Sequence, residues 1–305
     1  MLSPSDEVGE LWELTQLPNL DHAKERRALM QVLLIGTHPE LSPALASALA
    51  EVQCTCEWAA GDADALRRLR KQSFGVVITS PATAIEEDLA LLEEMRRIRP
   101  GVRTIILAPS TTPEDVIAAL RAHVFVCFTA PFDTGAIADM ACRATAATEW
   151  RGDIEVLSAH RDWVSLRVNC RLLTAERLLA FLNELRSELA DPERLELMLA
   201  FREILLNAME HGAGFDPEQV VEVAAVHTAR AMVFYVRDPG AGFRTTSIPH
   251  AVASEPPPDA LACQELRAKQ GMRPGGYGIL LARKVVDELI YSEVGNEVLL
   301  IKHLV

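Results

Sequence analysis

A doubly wound α/β domain followed by an α+β sandwich is the fold class this 305-residue chain predicts. Three observations carry that reading. From residue 31 to about 148, short apolar runs alternate with amphipathic stretches. After residue 153 the strand-like and helix-like segments cluster instead of alternating. The change falls within one short segment, 148–153, and the length suits two cores of ordinary size.

In the first half the apolar runs are 32–35, 75–79, 103–108 and 124–128. Continuous β-branched runs of this kind suit strands buried on both faces of a parallel sheet. Helices are predicted between them at 42–51, 62–72, 85–98, 113–122 and 134–148. The preface, residues 1–28, is charged, with one helix predicted around residues 7–16. In the second half the strands expected are 154–157, 163–168, 220–226, 231–237 and 298–304. Helices are expected at 174–189, 192–211 and 278–289. Asp191 before Pro192 suits a helix start, a capping side chain with proline at the first helical position. Residues 243–274, with Pro256-Pro257-Pro258, read as one long irregular segment. This grouping predicts helices on one face of a mixed sheet. The domains expected are a preface over 1–28, then 29–150 and 151–305.

Composition removes several classes of function. With 49% apolar and 24% charged residues the chain reads as soluble and globular. A formal net charge of −13 argues against nucleic acid as a main partner, since phosphate binding needs clustered Lys and Arg. The six cysteines, at 54, 56, 127, 142, 170 and 263, form no C-x-x-C pair and have no histidines at zinc spacing. Reduced thiols in a cytoplasmic protein are expected. The acidic start, MLSPSDEVGELWEL, does not read as a signal peptide, and no apolar run is long enough to span a membrane.

The most informative stretch is 202–212, REILLNAMEHG. Glu203, Asn207 and His211 recur every four residues, so an α-helix stacks a carboxylate, an amide and an imidazole on one face. Leu199, Ile204, Leu205 and Ala208 form the predicted core face. Farther on, a strand runs into Asp238-Pro239-Gly240-Ala241-Gly242, a fixed acceptor beside a backbone that a ligand can approach closely. A second glycine cluster, Gly275-Gly276-Tyr277-Gly278, opens a helix whose free N–H groups and positive dipole end suit phosphate. The Walker pattern is absent.

In this order the three segments resemble the ATP-binding domain shared by gyrase, a heat-shock chaperone, histidine kinases and MutL, the GHKL type. Residues 203–212 resemble its N-box, 238–242 its first glycine box and 276–278 its second. The nearest resemblance is to anti-sigma-factor serine kinases of the RsbW and SpoIIAB type. That resemblance implies ATP and Mg²⁺. It implies Asp238 as acceptor for the adenine amino group, Asn207 as Mg²⁺ ligand and Glu203 as general base toward the attacking hydroxyl. His211, Gly212, Gly240, Gly242, Gly275, Gly276, Tyr277 and Gly278 would line the nucleotide. Residues 243–274 would form a lid, and Lys269 or Arg273 would reach the phosphates. No two-helix hairpin fits between 148 and 174, where His160 is the only histidine, so autophosphorylation on histidine is not expected.

The first half resembles the receiver domain of response regulators, with its phosphorylation chemistry missing. Gly36 and Thr37 stand where the acidic pair belongs, Ser80 at the acceptor position, Ala108 for the hydroxyl and Ala130 for the lysine before Pro131. Without carboxylates there is no Mg²⁺ site, and Ser80 has nothing to activate it. A contact or docking role is expected of this domain.

Three functions are open on these readings. One is a serine/threonine kinase acting on an anti-sigma-factor antagonist, with a sigma factor as a further partner. The second is an ATP-binding switch or adaptor that transfers nothing. The third, a purely structural oligomerisation protein, needs the glycine clusters to be accidental. The family likeness implies a homodimer, with no apolar stripe in the sequence to mark its interface.

Overall fold

The computed structural model describes residues 30–36, 38, 40–147, 149–185, 191–242 and 278–304. The preface, the lid segment with Lys269 and Arg273, and Gly275, Gly276 and Tyr277 lie outside the described residues. Two compact units are distinguished. One comprises residues up to Ser110 together with Phe128–Thr148, and the other Thr111–Cys127 together with Glu149–Val305.

The first sheet is parallel, with strands β1 (Gln31–Ile35), β2 (Thr55–Ala59), β3 (Val76–Ile78), β4 (Thr104–Ala108) and β5 (Val126–Thr129). Their order, β2-β1-β3-β4-β5, is the doubly wound order of flavodoxin-like folds. The helices are α1 (Leu41–Glu51), α2 (Asp62–Lys71), α3 (Ile85–Ile98), α4 (Pro113–Arg121) and α5 (Thr134–Ala146). Local sequence sets their starts. Thr112 accepts from the Asp115 amide, the Asp115 carboxylate accepts from the Thr112 amide, and Pro113 occupies the first turn of α4. Asp133 caps α5 by accepting from the Ala136 amide at 3.0 Å.

β2 is a strand the apolar runs did not announce. It is an edge strand, and only Ala59 in it is fully buried. Glu57 stays at its surface and accepts from Arg68 at 2.9 Å and Gln72 at 2.7 Å. An edge strand has no need of the continuous apolar run that a central one shows.

The second sheet has six strands: β6 (Ile154–His160), β7 (Trp163–Asn169), β8 (Val220–His227), β9 (Ala231–Arg237), β10 (Glu288–Tyr291) and β11 (Glu297–His303). Its order is β10-β11-β9-β8-β7-β6, and every pairing is antiparallel, so the mixed sheet expected from the sequence is corrected. The helices of this unit include α6 (Leu172–Leu185), α7 (Asp191–Asn207) and α8 (Gly278–Val285). The span 154–169 is the β6–β7 hairpin of strands, with no helical hairpin in it.

The C-terminal helix ends at Val285, short of the expected 289, because the next residues are tied to β11. The Asp287 amide donates to the Ile301 carbonyl at 2.9 Å, and its carboxylate accepts from the His303 amide at 2.6 Å. Those bonds start β10, whose four residues are too few for an alternation to show. The core of the unit lies between the sheet and its helices. Leu166, Val223, Phe234 and Leu300 point into it, and Phe201 of α7 stacks on Phe234 of β9 with ring centroids 4.6 Å apart.

Candidate nucleotide site

α7 delivers the polar residues of the site, and its burial explains how. Ile204, Leu205 and Leu206 are all buried, as are Ala208 and Met209 beyond the helix end. Leu199, expected on the core face, is instead 47% exposed. The side chain of Glu203 keeps only 17% of its surface and pairs with Arg202 at 3.0 Å. Asn207 is half-buried, and the regular helix ends there.

Ala208–Gly212 form a π turn. Because a π turn takes about one more residue per turn than an α-helix, position i+5 comes to lie over position i. The helical ladder therefore continues from Glu203 and Asn207 to Gly212. His211 is carried off that face and is exposed. The expected stacking of His211 under Asn207 is thus corrected; it assumed α geometry through 211.

Gly212 meets Asp238. A Cβ on Gly212 would overlap Asp238 Cβ, Cγ and Oδ1, so only glycine permits this approach. Gly240 belongs to the same contact, since a Cβ there would lie 2.8 Å from Asp238 Oδ1 and 2.9 Å from the Cα and carbonyl oxygen of Gly212. The Asp238 Oδ1 accepts from the Gly240 amide at 2.8 Å. Burial pushes the Asp238 carboxyl above its ordinary value, and the Gly240 amide opposes that by favouring the charged form. Segments 203–212 and 238–242, 26 residues apart by Gly212 and Asp238, thus form one locus.

Two partners of this locus were not foreseen. Asn296 brackets Asp238, accepting from its amide at 3.0 Å and donating to its carbonyl at 3.3 Å. Gly242, with φ +76°, sits where a Cβ would overlap the carbonyl oxygen of Val294. Both partners come from the β10–β11 turn. Its signal in the sequence is Ser292-Glu293-Val294-Gly295-Asn296, a turn-forming set beside an edge strand.

Gly278 begins α8, which packs on α7, and so brings the start of that helix to the same unit. Among the described residues no group of three His, Cys, Asp or Glu side chains is arranged to hold a metal ion. A Mg²⁺ ion carried by phosphates needs fewer protein ligands than that, and the Asn207 amide oxygen is a hard donor of the right kind.

In the first unit, Gly36 has φ +71°, and a Cβ on it would lie 3.0 Å from Ser80 Oγ. Ser80 thus lies in tight contact with the space a side chain at position 36 would enter, and the backbone there favours glycine.

The family model described as the histidine kinase-like ATPase domain matches residues 169–302. Over that span the C-terminal unit is similar to an ATPase domain of that type. All three motifs fall inside the match. No curated protein matches the chain. Among solved structures, the chain is similar to a CheY-like receiver domain from Methanospirillum hungatei at 16% identity, covering 38% of this chain and 92% of that one, with a TM-score of 0.34. A response regulator from Thermotoga maritima matches at 18% identity, covering 38% and 98% respectively, with a TM-score of 0.35. The receiver domain of a Francisella response regulator matches at 17%, covering 39% and 98%, with a TM-score of 0.35. Among the described residues no helix is long and apolar enough to cross a membrane, and Cys54, Cys56, Cys127, Cys142 and Cys170 form no disulfide.

Proposed function

We propose that this protein is an ATP-dependent serine/threonine kinase of the anti-sigma-factor type. Its substrate would be a small antagonist protein in a bacterial partner-switching pathway, its location the cytoplasm and a sigma factor a further partner. The observation that supports the reading is the packing of Gly212 against Asp238, which brings together the two segments that resemble the N-box and the first glycine box. Asp238 would accept from the adenine amino group, its orientation fixed by the Gly240 amide and the Asn296 bracket. Asn207 would hold Mg²⁺ on the phosphates. Glu203, one helical turn before Asn207, would take the proton of the substrate hydroxyl. That oxygen then bonds to the γ-phosphorus as the bond to the ADP oxygen breaks, and ADP leaves. The receiver-like unit, with Gly36 and Thr37 where the acidic pair belongs and Ser80 at the acceptor position, would serve as a docking surface that takes up no phosphoryl group.

The ion pair between Arg202 and Glu203 favours the second reading, a silent ATP-binding adaptor, because it occupies the proposed base. Incubation with γ-labelled ATP and candidate antagonist proteins separates the two. Under the kinase reading, wild type labels a partner on serine or threonine, while Glu203→Ala binds ATP with unchanged affinity and labels nothing. Equal labelling by both proteins would remove Glu203 from the chemistry, and no labelling by wild type would leave the adaptor.

A further inference from the structure

The unit built on the five-stranded sheet brings together two thiols that lie far apart in the sequence. The side chains of Cys54 and Cys142 are hydrogen-bonded to one another. The end of α1 places the first of them. Gln53 takes a left-handed φ of +60°, the Cys54 amide donates to the Leu49 carbonyl at 2.9 Å, and the Gln53 amide donates to the Ala50 carbonyl at 3.1 Å. These two bonds close a helix that ends in a left-handed residue, and they turn the chain from α1 straight into β2. The next amide, of Thr55, donates to the Met30 carbonyl at 3.1 Å, so Cys54 is tied down on both sides. Cys142 lies on α5, which packs on α1. The two sulfurs differ in access. Cys54 is only 4% exposed, whereas Cys142 is half-buried.

We propose that Cys54 and Cys142 are a redox modification site, at which hydrogen peroxide converts the two thiols into one disulfide within the chain. The argument is contact combined with unequal access: one sulfur is open to a small oxidant, and the other is held beside it out of solvent. The hydrogen bond to Cys142, burial and the Cys142 charge push the Cys54 thiol up, so Cys54 keeps its proton while Cys142 carries the charge of the pair. The Cys142 thiolate attacks the peroxide. Its S–O bond forms as the O–O bond breaks, leaving a sulfenic acid and a hydroxide, which takes up the proton that Cys142 had released and becomes water. Cys54 then attacks the Cys142 sulfur. The S–S bond forms as the S–O bond breaks, and the hydroxyl leaves with the Cys54 proton as a second water. Two sulfurs give up two electrons and one peroxide accepts both. A dithiol reverses the step by exchange. The cross-link ties the corner between α1 and β2 to α5, which gives the receiver-like unit a covalent input at sulfur in place of the missing carboxylate chemistry. The inference does not depend on the nucleotide site.

Peptide mass mapping of the full chain tests it, after reduction, removal of the reductant, exposure to hydrogen peroxide and alkylation of the remaining thiols. Wild type is expected to yield one peptide pair linked through Cys54 and Cys142, two hydrogen atoms lighter than the separate peptides and separated again by dithiothreitol. Cys56, half-buried on β2, is the internal comparison and should still be alkylated. Cys54→Ser should stop at the sulfenic acid of Cys142, captured by dimedone. Cys142→Ser should slow the oxidation of Cys54 by about 10-fold or more, because the buried thiol then has to meet the peroxide by itself. Circular dichroism establishes that each variant is folded, and Cys54→Ala replaces Cys54→Ser if serine is not tolerated at the buried position. A wild type whose Cys54 and Cys142 are both still alkylated once Cys56 has been oxidised, a disulfide joining Cys54 to any other cysteine, or equal oxidation of Cys54 with and without Cys142 would each overturn the proposal.

Discussion

Replacing Gly212 by alanine adds one methyl group at the most crowded point of the candidate site. That methyl would overlap three atoms of Asp238, so one of the two residues must move. The Asp238 backbone is a poor candidate, being held at both its amide and its carbonyl by Asn296 and continuing β9 directly. The Asp238 side chain must therefore turn away and give up its bond to the Gly240 amide. One hydrogen bond is worth about 1 kcal/mol net, and forced overpacking of a fixed site costs about 1–3 kcal/mol, so a loss of roughly 2–4 kcal/mol is expected. The same rotation removes the adenine acceptor, and a charged hydrogen bond of about 1.5–3 kcal/mol corresponds to a loss of about 10–100-fold in ATP affinity. Gly214→Ala is the control. Its φ of +60° makes alanine strained by about 1–2 kcal/mol, yet nothing lies near its Cβ. It should lower stability and leave affinity alone. Denaturant unfolding and isothermal titration with ATP and Mg²⁺ read both quantities. A Gly212→Ala protein that binds ATP within twofold of wild type would refute the reasoning.

Asp88 in α3 is buried and accepts from Thr79 at 2.7 Å and Thr83 at 2.8 Å, with Asp62 and Glu87 adding repulsion and burial pushing its carboxyl up to about 6. Since the folded value lies above the unfolded one, its contribution is fully present below about pH 4 and lost as pH rises through about 6, a change of about 3 kcal/mol. Asp88→Asn should remove that slope, so urea unfolding of variant and wild type should diverge between pH 4 and 7; parallel curves would mean that Asp88 is not buried as a neutral acid. His211→Ala should bind ATP as wild type does, because the π turn carries that side chain to solvent; a tenfold loss in titration would restore the histidine to the site.

What the sequence reveals here is local. The buried parallel strands, the helix over 191–207 and the strand ending at Asp238 each announce themselves by a run of residues whose spacing has one structural meaning. Two of the four edge strands escape, because β2 carries Glu57 outward and β10 is four residues long, so neither has a pattern to read. Leu199 was placed in the core by its helical phase, but phase says only which residues share a face, and the sheet determines how wide the covered face is. The turn at 292–296 escapes for another reason. Its place at the site depends on strand register, which brings together residues that are scattered along the chain.

At the candidate site the spacing that singles out the segment and the geometry the segment adopts differ. A spacing of four residues picks out Glu203, Asn207 and His211 only if the backbone keeps α geometry through all three. It does so through Asn207 and then widens, and the rung that His211 would have occupied passes to Gly212. The exchange matters chemically. An imidazole on that rung would hold Asp238 at a distance, whereas a glycine lets the β9 carboxylate come against the end of α7. The glycine brings no side chain of its own to the contact, so the Asp238 carboxylate lies directly against backbone. A local pattern in the sequence names the two segments, and a break in that pattern is what allows them to meet.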